Sequence, residues 1–172
     1  IELDASFEKA NLTRRSADIA IRFQKAPDPH LIGHKLPDFA RAIYASQDYI
    51  DSHTFTGPNT NAMWVGWADK ENVALWNNDT PFSHCKIHHV VTEPTAHLQA
   101  VKSGLGFSDL LCFVAEQEND LVRIPGQGPV RTNPAWILTH PDLVSTERVR
   151  VCVRFLHEAM GKHAAELTGA NI

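Results

Sequence analysis

The stretch Asp18-Ile19-Ala20-Ile21-Arg22-Phe23 is a nearly continuous apolar run. Such a run is expected of a strand that is covered on both faces in a parallel sheet, because neither face meets water. On its N-terminal side apolar and polar residues alternate from Ile1 to Phe7, which predicts another strand. The segment from Lys9 to Ser16 fits a short helix between the two strands.

Further strands and helices alternate along the rest of the chain. The predicted strands are Leu31–Leu36, Ala40–Ala45, Trp64–Trp67, Val73–Trp76, Ile87–Val91, Leu121–Ile124 and Ala135–Leu138. A short helix fits Gln47 to His53. Thr92-Glu93-Pro94-Thr95 predicts a longer helix that ends at Gly104, because it offers capping oxygens and a first-turn proline. Ser145 can cap a last helix, whose apolar stripe runs from Val149 to Met160. This order predicts an α/β fold with a largely parallel sheet.

The composition restricts the classes of function. With 172 residues, of which 43% are hydrophobic, the chain can bury one sizeable core or two small lobes. Its net charge of -4 provides no positive field for phosphate backbones, so this segment should not bind DNA unaided. The three cysteines match neither a redox pair nor a zinc knuckle. No apolar run approaches the roughly 20 residues that span a bilayer, and no secretion signal is visible. We therefore expect a cytoplasmic protein without membrane contact.

Motifs for catalysis or metal binding are weak. Ser83-His84-Cys85-Lys86-Ile87-His88-His89 contains metal-ligating side chains, but strand alternation would divide them between two faces. We therefore predict no metal and no cofactor. Gly104-Leu105-Gly106 follows a helix instead of opening one, unlike a dinucleotide fingerprint. Gly106-Phe107-Ser108 lacks the closing glycine of a nucleophile elbow, and no nucleophile is visibly paired with a base. The sequence therefore does not predict an enzyme.

The helix start at Thr92 to Thr95 is a candidate binding site. Ligands of open α/β sheets lie beyond the carboxyl ends of strands, where helices begin. Free backbone N–H groups and the helix dipole favour an anion there, and the hydroxyls of Thr92 and Thr95 add hydrogen bonds. A carboxylate would suit this site. The alternative is that these residues only cap the helix.

A series of short blocks spans the chain. They are Ser16–Arg22, Leu31–Leu36, Ile43–Ile50, Ala100–Gly106, Leu111–Phe113, Trp136–Leu143 and Arg148–Arg150. In this order the blocks resemble the effector-binding part of LysR-type transcriptional regulators. The resemblance covers almost the whole chain and is weakest from Asn59 to Val90.

The resemblance implies two Rossmann-like lobes joined by a hinge, which is a type II periplasmic-binding-protein-like fold. Lobe one would comprise residues 1–41 and 125–172, and lobe two residues 42–124. Family members carry a winged helix-turn-helix head, a linker helix and the first strand and helix of lobe one ahead of the point that resembles Ile1. The chain therefore looks N-terminally truncated, with DNA contact and dimers or tetramers expected of the intact protein. Without that first strand, lobe one would have an unpaired sheet edge and exposed apolar surface.

The resemblance also implies that a small-molecule effector binds between the lobes and is not converted. Ser6 matches a position where relatives often place a hydroxyl facing the effector, and an ordinary strand-end serine is the alternative. Ser46, at the hinge exit, and Thr139, at a strand end, are further candidates. Phe107 could line the cleft, although a core position is favoured for it. A solute-binding protein of transport systems and a small enzyme are the alternative functions.

Overall fold

The structure, a computed structural model, describes residues 1–5, 11–14, 16–57, 59–67 and 80–169. The chain forms two compact units. The middle unit contains Ala42–Gly128 together with residues 1–5, and the terminal unit contains the described parts of Glu8–Arg41 and Pro129–Ile172. The predicted strand Val73–Trp76 lies outside the described residues. Within those residues, no helix combines the length and the apolar character needed to cross a bilayer.

The described elements follow the α/β order that the sequence predicts. The strands are β1 (Ile19–Phe23), β2 (Ile32–Lys35), β3 (Ala40–Ser46), β4 (Trp64–Gly66), β5 (Ile87–Val90), β6 (Ser108–Leu111), β7 (Leu121–Arg123), β8 (Val130–Arg131) and β9 (Ala135–Thr139). The α-helices are α1 (Gln47–Ser52), α2 (Pro94–Lys102), α3 (Cys112–Ala115), α4 (Glu147–Lys162) and α5 (Ala164–Leu167), and a 3-10 turn spans Pro141–Leu143. The predicted α/β class is confirmed.

The terminal unit is built on a three-stranded sheet of order β1-β9-β2. Ile137 and Leu138 of the central strand β9 point to opposite faces, and both are fully buried. Both neighbours run antiparallel to β9, with Ile21 opposite Ile137 and Gly33 opposite Leu138. The parallel pairing predicted for β1 is therefore wrong. An apolar run shows that side chains avoid water, but it does not specify the direction of the neighbouring strand.

Strand β1 lies at an edge of this sheet among the described residues. Two of its apolar side chains, Ile21 and Phe23, are 42% and 43% exposed. The stretch that was expected to be covered on both faces is thus only partly covered.

Two predictions for the N-terminal residues are wrong where the structure describes them. Residues 1–5 form no strand, and the side chains of Ile1 and Leu3 are exposed. Residues 12–14 form a turn instead of the predicted helix, and the Ser16 N–H donates to the Asn11 carbonyl at 3.1 Å. Alternation shows which side chains could share a face, but a strand also needs a neighbouring backbone to pair with.

Helix α4 confirms the predicted amphipathic stripe. Val149 and Val153 are buried, whereas Arg150 and Arg154 on the opposite side are exposed. The N-cap lies one residue later than the predicted Ser145. It is Thr146, whose side chain makes no capping hydrogen bond. The apolar spacing therefore predicted the buried face correctly but not the terminal residue.

The middle unit contains a sheet of order β6-β3-β7 and a parallel pair of β4 and β5. A parallel bridge also joins Trp64 to Phe107, so the predicted parallel pairing is found in this unit. An aromatic core fills its interior, in which the rings of Trp64 and Phe107 have centroids 4.2 Å apart. Phe55 and Phe82 pack on the same ring of Phe107. This core supports the strands that precede and follow α2.

Candidate ligand-binding site

The start of α2 is held by the Glu93 side chain. Glu93 is the N-cap, and its carboxylate oxygens accept hydrogen bonds from the Thr95 N–H at 2.9 Å and the Ala96 N–H at 2.7 Å. Pro94 has no N–H, and the His97 N–H donates to the Glu93 carbonyl at 2.8 Å. These backbone hydrogen bonds lower the pKa of the Glu93 carboxyl. The N–H groups that were expected to be free for an anion are therefore engaged by a carboxylate of the chain itself.

Thr92 and Thr95 flank this cap with exposed side chains. The structure confirms that a helix begins here, but the capping oxygens come from Glu93 and not from Thr92. The hydroxyls of Thr92 and Thr95 thus belong to residues on either side of Glu93, whose carboxylate lies at the positive end of the helix dipole. The contact of Thr92 and Thr95 with an effector stays a prediction.

A buried polar pair behind this helix start was missed by sequence reasoning. His97 is 0% exposed, and its Nε2 lies 2.7 Å from the Oγ of Ser108, which is also buried. The Nδ1 of His97 lies 3.2 Å from the carbonyl oxygen of Val91. Because a carbonyl oxygen only accepts, Nδ1 carries the proton and Nε2 accepts from the Ser108 hydroxyl. Burial lowers the pKa of His97 to about 4, so its imidazole is neutral near pH 7.

This pair corrects the expectation that no nucleophile meets a base. A hydroxyl that is hydrogen-bonded to an imidazole has the geometry of an activated nucleophile. Ser108 is only 1% exposed, so its hydroxyl offers no approach to a substrate in this arrangement. The available sequence signal was the position of His97, which shares the buried face of α2 with Ala100 and Val101 at helical spacing.

Ser46 lies elsewhere in the middle unit. It is the N-cap of α1, is 8% exposed, and its Oγ accepts a long hydrogen bond of 3.4 Å from the Tyr49 N–H. A Cβ at Gly104, just beyond the end of α2, would lie 3.6 Å from that Oγ. Ser46 therefore lies beside the C-terminal end of α2, whereas Thr92 precedes its N-terminal end, and the nine-residue helix between them is roughly 13 Å long. The structure does not bring these two candidates together.

The remaining candidates have structural partners or lie outside the description. Thr139 is 3% exposed and donates through Oγ1 to the Asp18 carbonyl at 3.0 Å. Phe107 is 0% exposed inside the aromatic core, which agrees with the core position that was favoured for it. Ser6 lies outside the described residues.

The segment rich in histidine and cysteine is only partly a strand. His84 and Cys85 precede β5 in a turn, with His84 Nε2 3.6 Å from Cys85 Sγ. Burial raises the pKa of the Cys85 thiol, and the Thr60 hydroxyl beside it opposes that shift. Over the part of the chain that the structure describes, no group of three or more His, Cys, Asp or Glu side chains is placed to hold a metal.

The terminal unit carries a surface cavity of about 200 Å³. Its lining comprises Asn11, Leu12, Thr13, Arg22, Asp28, His30 and Leu31. Arg22 is the most enclosed charge in this lining, with its side chain 14% exposed and 3.6 Å from the Asp28 carboxylate. Among the described residues predicted to bind an effector, none lines this cavity.

The sequence matches the family model of the LysR substrate binding domain over residues 3–161. No curated protein matches it at a significant level.

Solved structures resemble the fold. The regulatory domain of CrgA, a LysR-type transcriptional regulator from Neisseria meningitidis, has a TM-score of 0.70 at 21% identity, covering 87% of this chain and 78% of that chain. Full-length LysG from Corynebacterium glutamicum with bound effector Arg has a TM-score of 0.59 at 14% identity, covering 91% and 54%. The effector binding domain of QuiR in complex with shikimate has a TM-score of 0.59 at 16% identity, covering 88% and 76%. The predicted periplasmic-binding-protein-like fold is confirmed. The chain spans about half the length of full-length LysG.

Proposed function

The chain belongs to the LysR substrate binding domain family and is an effector-binding regulatory domain, and on that premise we propose that its effector is a small carboxylate or related anion. The proposed contacts are the hydroxyls of Thr92 and Thr95 and the N–H groups of Thr95 and Ala96, all at the start of α2. The observation that carries this proposal is the Glu93 carboxylate, which accepts both N–H groups at 2.9 and 2.7 Å. A carboxylate therefore suits this helix start in charge and in spacing.

The effector has to compete with Glu93 for the two N–H groups. Glu93 is exposed and can turn towards water, where its charge is well solvated. The incoming carboxylate then takes over the two hydrogen bonds and gains those of the threonine hydroxyls. Shikimate and arginine, the ligands named for two of the similar structures, both contain a carboxylate, which is consistent with this chemistry.

In the intact protein we propose that this domain reports effector binding to a separate DNA-binding head. The chain itself has a net charge of -4 and lacks a positive field for DNA. Regulation requires only that the effector has different affinities for two arrangements of the protein. Dimers or tetramers in the cytoplasm are the proposed setting. We propose no chemical step, because the Ser108 hydroxyl paired with His97 is enclosed.

The test is a binding assay with shikimate, arginine, benzoate and succinate, with benzamide and succinamide as uncharged controls. We expect at least one carboxylate to raise the melting temperature and to give a calorimetric Kd, while its carboxamide does not. Thr92→Val should weaken that affinity about fivefold, the effect of one lost hydrogen bond. Thr146→Val is the matched control. Thr146 is the N-cap of α4, far from Thr92 in the sequence, and its side chain makes no capping hydrogen bond.

The Glu93→Gln variant tests the competition directly. Gln removes the negative charge that repels an anion and forms a weaker cap, so carboxylate affinity should increase. Equal binding of carboxylates and carboxamides, or an unchanged affinity in Glu93→Gln, would show that the anion site is elsewhere.

A further inference from the structure

The segment from Val91 to Thr95 is held at both of its ends. The Val91 N–H donates to the Gly66 carbonyl at 3.0 Å, which ties the end of β5 to β4. The Glu93 carbonyl accepts from the His97 N–H at 2.8 Å, which starts the helix. Thr92 lies between these two fixed residues and presents an exposed side chain.

The Val91 carbonyl is held from inside the unit. Its oxygen lies 3.2 Å from the Nδ1 of His97, six residues further along the chain. The other ring nitrogen is 2.7 Å from the Ser108 hydroxyl on β6, and the ring lies flat against Trp67, with centroids 3.5 Å apart. The imidazole is fully enclosed, so its orientation is set by these three contacts.

We infer that His97 is a positioning residue for the proposed effector site: its Nδ1–H holds the Val91 carbonyl and so orients the backbone from which Thr92 projects. This inference rests on the proposed function at the start of α2. A binding group is effective when its own supports are rigid, because little ordering then remains to oppose binding. The buried ring provides that support for an exposed threonine.

Two variants of His97 separate this role from general packing. His97→Asn keeps an N–H near the position of Nδ1 and can still donate to Val91, but it cannot reach Ser108. His97→Gln reaches Ser108 but leaves the Val91 carbonyl without its donor. Both lose the ring that stacks on Trp67, so a purely structural role predicts similar losses in the two variants. Ser108→Ala is the matched control, because it removes the Ser108 contact and retains the bond to Val91.

The first measurement is hydrogen–deuterium exchange without any ligand, over peptides that cover residues 91–96. We expect faster exchange in His97→Gln than in His97→Asn or Ser108→Ala, with residues 147–160 of α4 as an unchanged reference. The second measurement is the affinity for a carboxylate that binds the wild type. His97→Gln should weaken it about five- to tenfold, the effect of one lost hydrogen bond, while His97→Asn should stay close to the wild type.

The ring nitrogen shifts of the wild-type protein add a measurement that needs no variant. We expect the NMR spectrum of His97 to show a proton on Nδ1 at neutral pH. A proton on Nε2, or equal exchange in His97→Gln and His97→Asn, would overturn the inference. If none of the four carboxylates binds the wild type, the proposed function fails on its own, and the exchange comparison still decides whether His97 orders this segment.

Discussion

The indole ring of Trp67 lies flat on the imidazole of His97, with centroids 3.5 Å apart and ring planes 1° apart. This stack, together with the bonds of both ring nitrogens, excludes water from the imidazole. Burial disfavours the charged form and lowers the pKa of His97 from 6.5 to about 4. The neutral ring is therefore part of the folded structure, and its protonation has consequences for stability.

Stability should fall as the pH is lowered from about 6.5 to 4. In this window the unfolded chain binds a proton at His97 and the folded chain does not, so acid favours unfolding. The contribution of His97 is fully present above pH 6.5 and amounts to about 3 kcal/mol, from the difference between the two pKa values. Urea unfolding at half-unit pH steps measures it. His97→Asn should flatten the dependence by that amount, and an identical slope in the variant would contradict the assignment.

Gly106→Ala should destabilise the middle unit by about 1–3 kcal/mol, because the new methyl group overpacks the core. A Cβ at this position would lie 2.6 Å from the Met63 carbonyl oxygen and 3.0 Å from Val65 Cγ2. The clash would also disrupt the hydrogen bond that the Phe107 N–H donates to the Met63 carbonyl. The control is Gly128→Ala, since nothing lies within 4 Å of a Cβ there. Denaturant melts should give a normal midpoint for Gly128→Ala, and a neutral Gly106→Ala would argue against this packing.

Phe107→Ala should cost about 3–5 kcal/mol, which is typical of a large side chain removed from a packed core. Phe107 is 0% exposed and contacts the rings of Phe55, Trp64 and Phe82. Phe155→Ala removes the same side chain at 66% exposure on α4 and should change the free energy of unfolding by less than about 0.5 kcal/mol. Similar losses for the two variants in urea melts would be incompatible with the core position of Phe107.

Thr139→Val should destabilise the terminal unit by about 1 kcal/mol, the value of one buried hydrogen bond. The hydroxyl of Thr139 donates to the Asp18 carbonyl at 3.0 Å and joins the end of β9 to the start of β1. Valine has the same shape and leaves that carbonyl without its donor. Thr132→Val is a suitable reference, because the Thr132 hydroxyl bonds only an adjacent carbonyl in an exposed segment. Chemical denaturation that ranks the two variants equally would contradict the role of Thr139.

Much of the fold was predictable because its signals are local. The spacing of apolar residues from Val149 to Met160 predicts the buried face of α4, and Val149 and Val153 are indeed buried. The glycine at position 104 ends α2 in a left-handed conformation, with φ of 78°. These features depend on residues within a few positions of one another, so the sequence displays them directly.

The candidate site was less predictable because its geometry depends on partners. Thr92-Glu93-Pro94-Thr95 correctly predicts a helix start, but it does not reveal which side chain takes the N–H groups. The structure shows that the Glu93 carboxylate accepts from them, so an incoming anion would have to displace it. Ser46 and Thr92 are plausible hydroxyls in sequence, yet they lie at opposite ends of α2.

The family, the alternation of strands and helices and the buried face of the last helix can be predicted from the amino-acid sequence, since each follows from local pattern or from the order of short blocks. Three features are visible only in the folded chain: β1 runs antiparallel to β9, Glu93 caps the start of α2, and His97 contacts Ser108 and Val91. Each of these features is a set of hydrogen bonds, and a hydrogen bond requires two groups that are brought together. The second group is specified by the packing of other elements, not by the residues next to the first.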